Sequence, residues 1–140
     1  MRISSAMLCD AATLREGLLH VLGGGITVLY RDSFPAPLAL KIVVVAEVLA
    51  EELAQPQKIT VTVENLEGAQ VFAVIEGDWE SPGDGADPNV PAYISLIIGL
   101  ERVAVPAVGY YRARIDLDGV ETRILPFQAK LITGGQAGTA

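Results

Sequence analysis

Along much of this chain apolar and polar residues alternate with a period of two. In residues 58–64, KITVTVE, the apolar Ile59, Val61 and Val63 alternate with Lys58, Thr60, Thr62 and Glu64, the pattern of a strand with one buried and one wet face. The turn formers NLEG follow at 65–68, and then QVFAVIE at 70–76 resumes a β-branched run, so the pair reads as a hairpin. The alternation returns in GYYRARIDLDG at 109–119, with Tyr111, Ala113, Ile115 and Leu117 on the inward face and Tyr110, Arg112, Arg114 and Asp116 on the outward one. Asp118 and Gly119 then supply a tight turn into VETRILPF, which predicts a second hairpin.

Further strands are expected at 3–9, 18–22, 26–30, 38–45, 93–100 and 128–132, separated by segments rich in Gly, Pro and Asp. Eight or nine short strands with no convincing helix between them predict an all-β fold, an antiparallel β-sandwich of immunoglobulin-like type. AEVLAEELA at 46–54 leaves two readings open: it extends a strand, or its strong helix formers make a short helix that Pro56 stops. We expect one domain over residues 1–133 and a flexible tail, GGQAGTA, over 134–140.

Two segments, LALKIVVVAEVLA at 38–50 and AYISLIIGL at 92–100, are apolar on both strand faces for much of their length. That is more than one sandwich face needs, so the second face must be covered by the protein's own loops or by another copy. The expectation is a homo-oligomer, a dimer first, with room for a protein partner.

Composition narrows the partners. The chain has 140 residues, 51% hydrophobic and 19% charged, a length and composition that suit one packed core. Ten basic against seventeen acidic residues leave a net charge of -7, which repels phosphate backbones and anionic lipid, so neither nucleic acid nor a membrane surface is expected as a partner. The longest uncharged apolar stretch, 92–100, is far short of the roughly twenty residues of a spanning helix. A single Cys allows no internal disulfide, and the start MRISSAMLCD has too little apolar length for a secretory signal, so a cytoplasmic location is expected.

Candidate chemistry is sparse. The glycines Gly23 to Gly25 lack the Lys and Ser or Thr of a phosphate-binding loop and are followed by the β-branched ITVLY, so they are read as a turn or bulge between strands. No cofactor is expected. His20 has no metal-ligating neighbour at a suitable spacing and shares its strand face with Leu18 and Leu22, while Cys9 ends a strand and reads as a small buried apolar residue. A pairing of Cys9 with His20 in space is an alternative for nucleophilic chemistry, and His20, Asp10 and Glu16 are the residues from which a scattered enzyme site could be assembled. The loop EGDWESPGDGADP at 76–88 is the most site-like segment. Its carboxylates Glu76, Asp78, Glu80, Asp84 and Asp87 are weak candidates for a hard cation such as calcium, although their spacing matches no calcium loop. Trp79 is a weak candidate interaction anchor.

The stretches AMLCDAATLREGLLHVLGGG (6–25), PAPLALKIVVV (35–45) and PAVGYYRARIDLDG (106–119) resemble an uncharacterised bacterial family of about this length, a domain of unknown function. The resemblance covers nearly the whole chain, with the glycine-ended LLHVLGGG hairpin its most specific element. It implies a β-sandwich and brings no activity, cofactor or site residue. The chain departs from the family pattern at Gly109, which is not directly preceded by proline; Pro106 stands three residues earlier.

These readings give three functional hypotheses. The leading one is a non-enzymatic binding or assembly module, the second a cation- or small-ligand-binding sandwich using 76–88, the third an enzyme with an unrecognised site.

Overall fold

The computed structural model describes residues 1–53, 55–79 and 87–133. Among them run eleven strands: β1 (Arg2–Arg15), β2 (Leu18–Gly24), β3 (Val28–Arg31), β4 (Ala36–Pro37), β5 (Lys41–Val48), β6 (Gln57–Asn65), β7 (Val71–Trp79), β8 (Ala92–Gly99), β9 (Ala104–Val105), β10 (Gly109–Leu117) and β11 (Glu121–Leu131). Apart from the two-residue pair β4 and β9, nine remain, in a first sheet ordered β2-β1-β5-β8 and a second ordered β3-β11-β10-β6-β7. The expected all-β fold holds.

The two sheets pack face to face. The first contributes Leu8, Ile42, Val44, Ala46 and Val48, the second Ile59, Val61, Val63, Tyr111, Ala113, Ile115 and Leu117, all in one buried cluster. These are alternate residues of their strands, so the period of two did place the core. Each large aliphatic side chain buried there contributes roughly 1.5–3 kcal/mol. Tyr111 anchors one end, edge-on to Phe72 at 5.5 Å and stacked on Phe127 at 5.6 Å.

Both expected hairpins form. β6 and β7 join through a turn in which the Asn65 side-chain carbonyl accepts from the amides of Ala69 and Gln70. β10 and β11 join through Asp118 and Gly119, both with positive φ.

Three details differ from expectation. The pairing is not wholly antiparallel: β3 runs parallel to β11, Val28 opposite Gln128. Segment 46–54 divides, with strand β5 running to Val48 and a single 3₁₀ turn over Ala50–Glu52; Ala46 and Val48 are buried in the core, and that burial overrides helix propensity as far as Val48. Residues 121–131 form one strand through Pro126 rather than two. The Gln128 amide donates to Thr27, away from β10, so by alternation the missing N–H of Pro126 also faces away from β10, at a level where β3 has not yet begun.

The expected tail 134–140 lies outside the described residues.

Candidate functional site

β1 has 14 residues and outruns its 8-residue partner in the body of the sheet, β5. Residues 2–9 pair with β5, whereas 11–15 pair only with β2, so the second half of β1 and all of β2 form a two-stranded arm overhanging the end of β5. The arm turns at Glu16 and Gly17, whose φ values of 53° and 76° are those of a two-residue hairpin turn matched to strand twist. It ends at the three glycines, where the amides of Gly25 and Ile26 both donate to Leu8 and the chain leaves the first sheet for β3 in the second. Gly23 and Gly25 have positive φ, so the glycines serve backbone geometry, as expected.

The arm is apolar and wet. Leu18 and Leu22 are 63% and 70% exposed on the face shared with His20, and Leu14 is 47% exposed on the other. Among the described residues no neighbouring strand buries them at this level of the sheet, because β5 starts opposite Cys9.

The outer face of the first sheet continues this character. Rows across it read Cys9, Lys41 and Gly99; then Met7, Val43 and Ile97; then Ser5, Val45 and Ser95. Val43, between Met7 and Ile97 in its row, is only 2% exposed although it lies outside the sandwich core. An ion pair bounds the stripe at each end, Lys41 with Glu101 and Arg2 with Glu47. The Lys41 ammonium holds the Glu101 carboxyl below its usual range by hydrogen bonding. The apolar surplus read at 38–50 and 92–100 is thus the outer stripe of β5 and β8.

The opposite outer face has a polar centre, flanked by exposed Val74 and Ile124. Glu64 is 3% exposed and accepts from Arg112 Nε at 2.8 Å, with Arg114 Nε at 3.8 Å. Gly68 sits against this pair, since a Cβ there would come within 2.7 Å of the Arg112 guanidinium. The alternation put these residues on one outward face; what it could not show is that the carboxylate is buried between two arginines.

A cleft of about 710 Å³ opens between the two sheets where β7 and β8 are the outer strands, lined by Phe72, Ala73, Ile75 and residues 99 and 101–104. Its lining is mostly apolar and includes Glu101 and Arg102.

The sequence candidates are not drawn together. Cys9 lies opposite Gly24 and His20 opposite Thr13, four residues along the ladder and therefore about 13 Å apart, too far for a nucleophile and base. Cys9 is fully buried, and burial pushes its thiol up, away from the reactive thiolate. Asp10 is on the arm face opposite to His20, and Glu16 is in the arm's turn. In the acidic segment, Glu76 pairs with Lys58 at 3.5 Å, Asp78 stands opposite Lys58 in the ladder, and Asp87 accepts from the Asn89 amide in its own turn. Glu80 and Asp84 lie outside the described residues. Trp79, half-buried, packs on the core edge at the end of β7. Among the described residues no cluster of three His, Cys, Asp or Glu has the geometry of a metal site, and no helix is long and apolar enough to cross a membrane.

A family of unknown function, DUF6941, matches residues 4–130. The chain belongs to that family. The match takes in the arm, both sheets and all strands but the last residue of β11 and the first two of β1, so in this DUF6941 protein the overhanging arm lies inside the matched region and is not an appendage to it. No curated protein and no solved structure matches the chain.

Proposed function

We propose that this DUF6941 protein is a non-enzymatic binding and assembly module that works as a homo-oligomer, with a protein as its further partner. The observation that carries the reading is the arm: Leu14, Leu18 and Leu22 stand in water on a two-stranded extension that no other strand of the described chain supports. A lone hairpin gains little stability in water, and three exposed leucines on it are accounted for by a surface that buries them. The single cysteine, buried and unpaired, fits a reducing compartment such as the cytoplasm.

Native mass spectrometry of the protein, purified without chelator, tests this. The expected spectrum shows at least two 14.8 kDa chains together, or the chain with a second protein, and the Leu18→Ser/Leu22→Ser variant loses the second protein while keeping its melting temperature. A single chain carrying calcium or an unexplained small mass would overturn the reading in favour of ligand binding, and a bare monomer at every concentration would overturn it outright.

A further inference from the structure

The two large sheets end in β2 and β8, and in β3 and β7. A free strand edge is a template for another strand, and proteins blunt it with charge, bulges or short length. β7 carries Glu76 and Asp78 and a register shift opposite Val63 and Glu64. β3 is four residues long and ends in Arg31. β2 carries His20 and finishes in glycines. β8 ends in a single glycine, Gly99, but has no charge and no register shift: AYISLIIG is eight residues without charge, histidine or proline.

The register tells which groups β8 presents. The Leu100 amide donates to the Leu40 carbonyl at 2.9 Å, continuing the ladder in which Lys41 opposes Gly99. In an antiparallel ladder every second pair is hydrogen-bonded, so Ile98, Leu96 and Ile94 turn their backbone groups to β5. Tyr93, Ser95 and Ile97 therefore point N–H and C=O to the open edge, where no described strand receives them.

We propose that a second copy of this chain pairs with that edge, β8 antiparallel to β8 about a two-fold axis at Ser95, joining the two first sheets into one. The proposal rests on the homo-oligomer reading above and gives it a seam. Two-fold pairing sets residues of the same face opposite each other: Ser95 meets itself, Tyr93 meets Ile97, Ile94 meets Leu96, and small Ala92 meets large Ile98. No charge is buried. The ends are complementary, because Asp87 precedes the strand and Arg102 follows it, and neither forms an ion pair among the described residues. Antiparallel pairing brings Arg102 of one copy towards Asp87 of the other, whereas parallel pairing would set Arg102 beside Arg102. Among the described residues the other charges at these ends, Glu47 with Arg2 and Glu101 with Lys41, are already matched.

Light scattering combined with residue-resolved amide exchange, over a dilution series, tests the seam. For the unaltered protein the expected mass is twice 14.8 kDa, with the Tyr93, Ser95 and Ile97 amides protected and losing protection on dilution. Ser95→Lys, which places two ammonium groups face to face on the axis, should halve the mass and release those three amides while the melting transition stays cooperative. Ser95→Pro removes an N–H that faces the open edge and spares the ladder to β5, and should act the same way. A dimer whose three amides exchange freely, or one indifferent to both variants, would overturn the seam and leave assembly through another surface standing. The same amides protected in a monomer would also overturn it, showing the edge covered by the chain itself. A monomer with open amides throughout would overturn both the seam and the homo-oligomer.

Discussion

The Tyr111 hydroxyl donates a hydrogen bond to the Ala107 carbonyl oxygen, 2.6 Å away, fastening β10 to the bend that delivers the chain into it. The ring is meanwhile held between Phe72 and Phe127. The two contributions can be separated. Tyr111→Phe keeps the ring contacts and should cost about 1 kcal/mol, the usual worth of one such bond, in a denaturant titration. Tyr111→Ala removes both and should cost roughly 3–5 kcal/mol. Equal effects of the two variants would contradict this division.

Glu64 gives the second prediction. It is buried with Arg112 and Arg114 as its only charged neighbours at ion-pair distance among the described residues, and Arg112 is itself about a quarter exposed. Glu64→Ala leaves Arg112 without its carboxylate while Arg114 keeps Asp116 at 3.6 Å, and should destabilise by about 2 kcal/mol, less than for a wholly buried pair. Glu64→Gln, which keeps an acceptor, should recover part of that loss in the same titration.

Cys9 should be silent in the native protein. Its thiol is buried and pushed up, so alkylation near pH 8 should proceed at the rate of unfolding and speed up greatly in denaturant. Because the folded state prefers the neutral thiol, this group's contribution is fully present below the unfolded thiol pKa of ~8.5. It is lost as pH rises from there through the folded value. The denaturation midpoint of the native sequence should fall over that alkaline range more than that of Cys9→Ala.

The Lys41 and Glu101 pair has the opposite sign. The folded carboxyl titrates below the ordinary ~4.3, so the pair's contribution is present above that pH and disappears as pH falls through the folded value. Glu101 is half exposed, which keeps the effect below about 1 kcal/mol. Lys41→Met should therefore lower the denaturation midpoint slightly at neutral pH, and the gap should close in acid.

The strands that alternate cleanly were the legible ones. Ile59, Val61 and Val63, or Tyr111 through Leu117, alternate in sequence with polar residues, so a period of two reports them directly even though Thr62 and Glu64 on the polar face are themselves buried. The second half of β1 was not legible, since ATLREG at 12–17 mixes small, polar and charged residues with one exposed leucine, as a strand without a core beneath it does. Segment 46–54 was ambiguous because helix propensity is local while the pairing of β5 with β1 and β8 is not. The apolar excess of β5 and β8 was visible as composition. That it forms one stripe and one bare edge depends on strand order, which no local pattern carries.

The parallel ladder between β3 and β11 has a consequence for the chain's birth. Val28 finds its partner in Gln128, a hundred positions later, so on the ribosome the second sheet stays open at β3's side until the last strand has emerged. The first sheet, β2-β1-β5-β8, is complete in sequence by Gly99. For the interval of synthesis between those two points, its inner face and the waiting β3 are the surfaces that need protection from neighbouring nascent chains.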